Sequence, residues 1–253
     1  MKPLANRHAV VTGGGRGIGA AVATALAEQG ATLTLMGRDR PRLEKHAKTM
    51  AAHVLTVDVA KAESIEAAFA RAQADVGPID ILVNNAGGVI SAPFSRTDLP
   101  LWTRMLDMNL TGTYLCCRQV LPSMLERGFG RIVNVASTAG LTGYAYVTAY
   151  CAAKHGVVGL TRALAMETAR SNVTVNAVCP GYTDTDIVDT ALETIVRKTG
   201  KSADEARAAI VSRNPQQRLV RPAEVANATL WLCMPGSEAI TGQAIAVAGG
   251  ELL

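Results

Sequence analysis

Tyr150 and Lys154 stand four positions apart in the run Tyr150-Cys-Ala-Ala-Lys154, inside an apolar pattern that reads as a helix. Residues at i and i+4 share a helix face, so the phenol and the ammonium are neighbours. A free tyrosine, with a pKa of about 10, is a poor acid or base near neutrality. A lysine held beside it favours the phenolate and draws that pKa down. The pair therefore predicts a proton donor and acceptor that works near neutral pH. Taken alone, the same pattern also describes a helix with one aromatic and one solvated lysine. The rest of the chain gives it weight.

The second chemical feature lies near the N-terminus. The apolar run Ala9-Val-Val-Thr12 reads as a buried strand and leads into Gly13-Gly-Gly-Arg-Gly17-Ile-Gly19. An alanine-rich helical stretch follows, from Ala20 to Glu28, and ends at Gly30. Strand, glycine turn and helix form the context of a dinucleotide fingerprint. Gly13 permits the tight turn, Gly17 lets the backbone approach a pyrophosphate, and Gly19 lets helix and strand pack closely. The free N–H groups of the helix N-terminus would face the phosphates. The spacing is Gly-x-x-x-Gly-x-Gly, not Gly-x-Gly-x-x-Gly.

The elements that must position these residues alternate along the chain. Strands are expected at His8–Thr12, Thr32–Met36, Val54–Val57, Ile79–Val83, Arg131–Ala136, Thr174–Val178 and Gln243–Val247. Helical patterns fall near 17–29, 40–51, 61–75, 100–127, 149–170 and 222–233. Such alternation predicts an α/β fold: a doubly wound parallel sheet of about seven strands, Rossmann-type, with helices on both faces. Its ligand crevice lies at the carboxyl ends of the strands. The glycine turn, Asp58, Asn84–Gly88, Ser137 and Pro180 all follow expected strands and so converge on that edge. Residues 1–253 read as one domain, with no repeat or linker. The stretch 182–217 has a helical pattern and a Gly200-Lys-Ser turn but no strand, and its length after a strand end suggests a substrate lid.

Composition narrows the class. The 253 residues are 49% hydrophobic with a mean hydropathy of +0.18, which suits parallel strands buried on both faces. No apolar run approaches the roughly 20 residues that span a bilayer, and Met1 to Asn6 carries no signal-peptide pattern. The net charge of +4 is modest, and no basic patch interleaved with aromatics points to nucleic acid. Five cysteines at 116, 117, 151, 179 and 233 form no Cys-x-x-Cys pair, which fits reduced thiols in a cytoplasmic protein. His8, His46, His53 and His155 lack metal-ligand spacing, so no metal site is expected.

The chain resembles the short-chain dehydrogenase/reductase family in its compact single-domain branch, over essentially its whole length. The resemblance rests on Thr12-Gly-Gly-Gly-Arg-Gly-Ile-Gly19, Asn84-Asn-Ala-Gly87, Asn109, Ser137, Tyr150-x-x-x-Lys154 and Pro180-Gly181 followed by Thr185, in the family's order and spacing. It implies a nicotinamide-dependent enzyme acting on a ketone or secondary alcohol. Tyr150 would exchange a proton with the substrate oxygen, and Ser137 would hydrogen-bond that oxygen. Lys154 would lower the tyrosine pKa and bind the nicotinamide ribose, and Asn109 would hold a water that relays protons. The cofactor would lie against Gly13, Gly15, Arg16, Gly17, Ile18 and Gly19. Asp58 and Val59 would reach its adenine, and Asn85, Ala86 and Gly87 the ribose and pyrophosphate. Pro180, Gly181, Thr183 and Thr185 would line the nicotinamide side, while Asn84 would brace the sheet. Relatives are usually tetramers, which agrees with apolar stretches in 100–127 and 149–170.

NAD-selective relatives commonly place an acid where Gly37 sits. Here Arg38 follows, and with Arg16 it could clamp a 2′-phosphate. NADP(H) is therefore expected, with NAD the alternative. The segments 125–137 and 153–159 resemble 3-oxoacyl-thioester reductases, polyketide ketoreductases among them, and also 3-hydroxybutyrate dehydrogenases. The latter hold a free carboxylate with cations at positions that are Ala139 and Val147 here. Leu141, Tyr144, Tyr146, Tyr182 and Ile187 suggest a less polar pocket. The expected substrate is a 3-oxoacyl thioester, carried on coenzyme A or a carrier protein. Lys198, Lys201 and Arg213 could meet that carrier, although each singly reads better as a solvated surface charge. A dehydrogenase of cyclic, aromatic or steroid-like alcohols is one alternative. A non-catalytic dinucleotide sensor is another, and it should lack part of the Ser–Tyr–Lys set.

Overall fold

In the computed structural model, which describes residues 2–252, seven parallel strands form one sheet in the order β3-β2-β1-β4-β5-β6-β7. The strands are β1 (His8–Thr12), β2 (Thr32–Gly37), β3 (His53–Thr56), β4 (Ile81–Asn84), β5 (Gly130–Val135), β6 (Val173–Pro180) and β7 (Ala244–Val247). All seven lie within two residues of their expected limits. The order reverses beside β1, which pairs with β2 on one side and β4 on the other. A ligand crevice is expected at this point in a doubly wound sheet. β6 runs two residues further than its pattern suggested, because Cys179 and Pro180 pair with Ala246 and Val247 of β7.

Successive strand residues point to opposite faces, and both faces are covered. Ala9, Val11, Leu33, Leu35, Ile81, Val83 and Val133 pack on one side with α1 (Gly17–Glu28) and α9 (Pro222–Cys233). Val10, Met36, Leu82, Ile132 and Val175 pack on the other with α3 (Ala62–Val76), α5 (Gly112–Arg127) and α6 (Thr148–Thr168). α2 (Arg40–Ala47) stops earlier than its pattern suggested, and Ala51 turns the chain back with a φ of 54°.

One expectation is corrected. The stretch 100–127 is not one helix. α4 (Leu99–Leu106) and α5 are joined by a π-helical turn, Asp107–Thr111. Asn109 lies fully buried in that turn. Single π turns of this kind often mark functional positions. The stretch 182–217 has no strand, as its pattern suggested, and holds two helices: α7 (Asp186–Thr199) and α8 (Ala203–Val211). Gly200, with a φ of 70°, ends the first, and a Ser202–Glu205 capping box begins the second. Both ends of this segment are tied together. Asp184 N–H bonds the Val220 carbonyl at 2.9 Å, and Val220 N–H bonds that of Tyr182 at 2.9 Å.

A buried polar chain ties the central strands to α6. Asn84 Nδ2 donates to Asn134 Oδ1 at 2.9 Å, and Asn134 Nδ2 donates to Thr161 Oγ1 at 2.9 Å. Asn84 thus braces the sheet. Replacing Asn134 with Ala would remove both bonds, leaving Asn84 Nδ2 with Cys117 Sγ at 3.3 Å and Thr161 Oγ1 with the Val157 carbonyl at 2.8 Å, at a cost of about 1–3 kcal/mol. Chemical denaturation should show that loss; a midpoint unchanged from wild type would mean the chain is not structural.

Candidate active site

The carboxyl ends of β1 and β4 are fastened to each other. Thr12 Oγ1 accepts the backbone N–H groups of Asn85 and Ala86, each at 3.0 Å. Asn85 Nδ2 donates back to the Thr12 carbonyl at 3.0 Å and the Gly13 carbonyl at 3.2 Å. The Asn85 side chain therefore shapes the glycine turn, and only its backbone is left to face a ligand. Sequence reasoning assigned Thr12 no role, because its hydroxyl acts across the strand pair.

The glycine turn has the features a dinucleotide needs. Gly13 and Gly17 adopt left-handed backbone, with φ of 67° and 53°. A methyl on Gly19 would press into the Gly13 carbonyl and the Asn85 amide. α1 begins without a side-chain cap and without an acidic residue in its first turn. Its free N–H groups and partial positive charge suit a pyrophosphate. Thr185, at the start of α7, brings its methyl group against Gly17. Thr183 is buried and bonds the Gly181 carbonyl at 3.0 Å. Ile18 packs on the core beneath the turn.

Arg16 and Arg38 are not arranged as expected. Arg16 Nη1 donates to Asp186 Oδ2 at 2.6 Å, and Arg42, which sequence reasoning missed, reaches the same oxygen at 3.0 Å. The two guanidinium groups hold the Asp186 carboxyl below its ordinary range. Arg38 is exposed and makes no hydrogen bond among the described residues. Asp58 closes a turn, accepting from Ala60 N–H at 3.1 Å. Val59 is a core residue whose carbonyl abuts Gly112.

Gly87, Asn109 and Lys154 meet in the crevice. A methyl on Gly87 would lie 2.6 Å from Asn109 Oδ1 and 3.9 Å from Lys154 Nζ. Asn109 grips Gly88 twice, accepting its N–H at 3.1 Å and donating to its carbonyl at 3.0 Å. Its Nδ2 also bonds the Met105 carbonyl at 2.9 Å. Both Nδ2 protons are thus used, and Oδ1 holds the Gly88 N–H. The Asn109 main-chain carbonyl accepts from Thr113 at 3.1 Å and has a further lone pair to offer.

Ser137 follows β5, and its Oγ accepts from Ala139 N–H at 3.1 Å. Tyr150 and Lys154 project from the first turns of α6. Lys154 Nζ is buried, donates to the Val135 carbonyl at 2.8 Å and sits 5.7 Å from the Tyr150 ring centroid. Burial pushes the Tyr150 phenol up to about 12, opposed by its hydrogen bond with Ser137. Burial also pulls the Lys154 ammonium down to about 8, opposed by Cys179. The expected depression of the tyrosine by the lysine is not seen. The ammonium is turned to a strand carbonyl, and desolvation dominates both groups. The Cys179 thiol, beside Ser137 and Lys154, is pushed up to about 11 by burial and is not poised as a nucleophile. No group of metal-binding side chains and no helix able to cross a membrane occurs among the described residues.

A family model described as short chain dehydrogenase matches residues 7–195. The chain is 41% identical to a cis-4-hydroxycyclohexanecarboxylate dehydrogenase of Sinomonas cyclohexanicum, over 98% of this chain and 97% of that one. It is 38% identical to a 3-oxoacyl-(acyl-carrier-protein) reductase of Aquifex aeolicus, over 98% of each chain. A solved structure of a substituted actinorhodin polyketide ketoreductase with NADPH superposes at a TM-score of 0.93, with 40% identity over 97% of each chain.

The buried ammonium makes a stability prediction. Lys154 binds its proton more weakly in the fold, about 8, than its ordinary 10.5. Burying the charged form therefore costs stability in full below about pH 8, and that cost fades as pH rises toward 10.5. Lys154→Met should resist denaturant better than wild type at pH 7, by on the order of 1–3 kcal/mol, with the gap closing above pH 10. A gap independent of pH would show that Lys154 carries no such penalty.

Proposed function

Because this chain belongs to the short chain dehydrogenase family, we propose that it is an oxidoreductase that reduces 3-oxoacyl thioesters to 3-hydroxyacyl thioesters with NADP(H). The observation that carries the reading is the complete Ser137–Tyr150–Lys154 set beneath a wall without cations at Ala139 and Val147. Two of the relatives above, by name a 3-oxoacyl-(acyl-carrier-protein) reductase and a polyketide ketoreductase, support it. The same set, intact, argues against a non-catalytic sensor.

In this reading the nicotinamide supplies a hydride to the carbonyl carbon when bound. Ser137 Oγ and the Tyr150 hydroxyl hold the substrate oxygen, and Tyr150 delivers its proton as negative charge develops there. A phenol raised by burial is well suited to stay protonated until then. Lys154, with a pKa brought near 8, resupplies that proton through the Asn109 carbonyl side of the crevice. The free N–H groups of α1, with Gly13, Gly15, Gly17, Ile18 and Gly19, hold the pyrophosphate. Asp58 and Val59 face the adenine, and the backbone of Asn85, Ala86 and Gly87 faces the ribose. Pro180, Gly181, Thr183 and Thr185 hold the nicotinamide end. Residues 182–217 act as the lid, and 1–253 form one cytoplasmic domain. Tyr114, Leu125 and Met166 remain exposed on α5 and α6, which supports burial in a homotetramer.

A second reading has one observation in its favour. The 41% identical relative is, by name, a dehydrogenase of a hydroxycyclohexane carboxylate. A panel decides: a 3-oxoacyl coenzyme A thioester, the free 3-oxo acid and a cyclic ketone, each followed by nicotinamide absorbance. The thioester should give the highest kcat/KM, because its remote groups add binding energy in the transition state. Tyr150→Phe should lower turnover by at least about 10²-fold while still binding cofactor. Rapid turnover of the cyclic ketone without the thioester would install the second reading.

The cofactor preference has its own test. Arg38 is free to meet a 2′-phosphate, whereas Arg16 must first leave Asp186. Arg38→Ala should weaken NADPH by roughly 1.5–3 kcal/mol and leave NADH unchanged. Equal wild-type affinity for both dinucleotides would sink the NADP assignment.

A further inference from the structure

The tail after β7 brings a carboxylate onto the active-site edge. Gly249 and Gly250 have left-handed backbone, with φ of 60° and 95°, and a side chain on Gly249 would run into Asn214. The tail therefore turns back over the end of β6. There, Glu251 Oε2 lies 2.8 Å from where a methyl on Gly181 would sit, and Gly181 directly follows Pro180. Glu251 Oε1 is 2.7 Å from the Tyr144 hydroxyl, which is also 2.7 Å from Thr138 Oγ1. A carboxylate can only accept, so the phenol proton of Tyr144 goes to Glu251. Tyr144 in turn meets the Tyr182 ring edge-on, with centroids 6.4 Å apart. Thr138 directly follows Ser137, so this chain of contacts runs along the carboxyl ends of β5 and β6. Among the described residues Glu251 takes part in no ion pair. The nearest cation described beside this wall, Arg213, lies over the Tyr144 ring at 4.9 Å instead.

We propose that Glu251 is a specificity-determining residue, whose negative charge at the substrate side rejects substrates bearing a free carboxylate and favours neutral ones. The thioester reading above gains a reason from this, and rests on its own evidence for the rest. A 3-oxoacyl thioester has no charge next to its reacting ketone, whereas the free 3-oxo acid does. In a partly desolvated pocket two like charges repel by far more than in bulk water. One oxygen of Glu251 is occupied by Tyr144.

The test compares neutral and anionic partners that carry the same reacting group. One pair is a 3-oxobutanoyl N-acetylcysteamine thioester and acetoacetate. The other is a plain cyclohexanol and its 4-carboxylate. Wild type should favour the neutral member. Glu251→Gln keeps an acceptor for Tyr144 and removes the charge, so kcat/KM for the anionic member should rise by roughly tenfold or more. The neutral member and NADPH affinity should change little. A Gln variant that shifts both members equally, or neither, overturns the proposal. So does a wild-type preference for the anionic member, which would assign the wall to Arg213. If only the ring pair is turned over, the thioester reading falls and Glu251 is judged by the ring pair alone. Should the variant fail to fold, salt dependence in wild type serves: added salt should narrow the neutral-to-anionic ratio, and a flat ratio rejects the proposal.

Discussion

The clasp between Thr12 and Asn85 is the constraint on which the crevice depends. Parallel strands stop pairing at their carboxyl ends, so their terminal polar groups must find other partners. Here the Thr12 hydroxyl takes two N–H groups from the start of the β4 loop, and the Asn85 amide returns two bonds to the β1 turn. The clasp closes at the point where strand order reverses. It fixes the glycine turn on one side and Gly87 and Gly88 on the other. Asn109 then grips Gly88 from the π turn, and that turn packs against α6, which carries Tyr150 and Lys154. The glycine turn and the helix that carries Tyr150 and Lys154 are therefore positioned by one connected set of hydrogen bonds and apolar contacts.

Within that frame, burial governs the ionisable groups. The simple helix-face argument for Tyr150 and Lys154 treats two side chains four residues apart as neighbours whose charges interact. In the fold, Lys154 bonds the Val135 carbonyl, and loss of water pushes the phenol and the ammonium in opposite directions. Desolvation acts on each group separately, whereas a pairwise attraction requires both to be charged at once. The result is a neutral phenol beside an ammonium that titrates close to neutrality.

The sheet was legible because its strands are short apolar runs bounded by glycine, asparagine and proline, and because parallel strands leave that signature on both faces. Ser137 and Asn85–Gly88 follow strand ends as the same pattern suggested, whereas Asn84 and Pro180 are the last residues of β4 and β6 themselves. What could not be read falls into two kinds. The π turn is a local event in a continuous helical pattern. It arises because Asn109 bonds Gly88, 21 residues away, and because Gly112 lets the chain press on the Val59 carbonyl. The Arg16–Asp186–Arg42 cluster and the Glu251–Tyr144 contact join residues far apart in sequence. Single exposed charges carry no periodicity, so nothing in the sequence marks them as partners.

The division of labour between centre and edge follows from stability. Lys154 and Asn109 are almost fully buried on elements packed against the sheet. Their geometry is held by many contacts, and a small change there would be felt throughout the core. The groups facing the substrate side belong instead to the segment after β6 and to the tail after β7, both partly exposed. Tyr182 packs on a small separate cluster with Val188, Ile210 and Leu219, and the tail turns on two glycines. Substitutions in such segments seldom disturb a core, so they alter which substrate is admitted without altering the proton chemistry beneath. Glu251, half-buried on that tail and held by Tyr144, lies in such a place, and under the proposal above its side chain sets the local charge while the clasp and the π turn stay as they are.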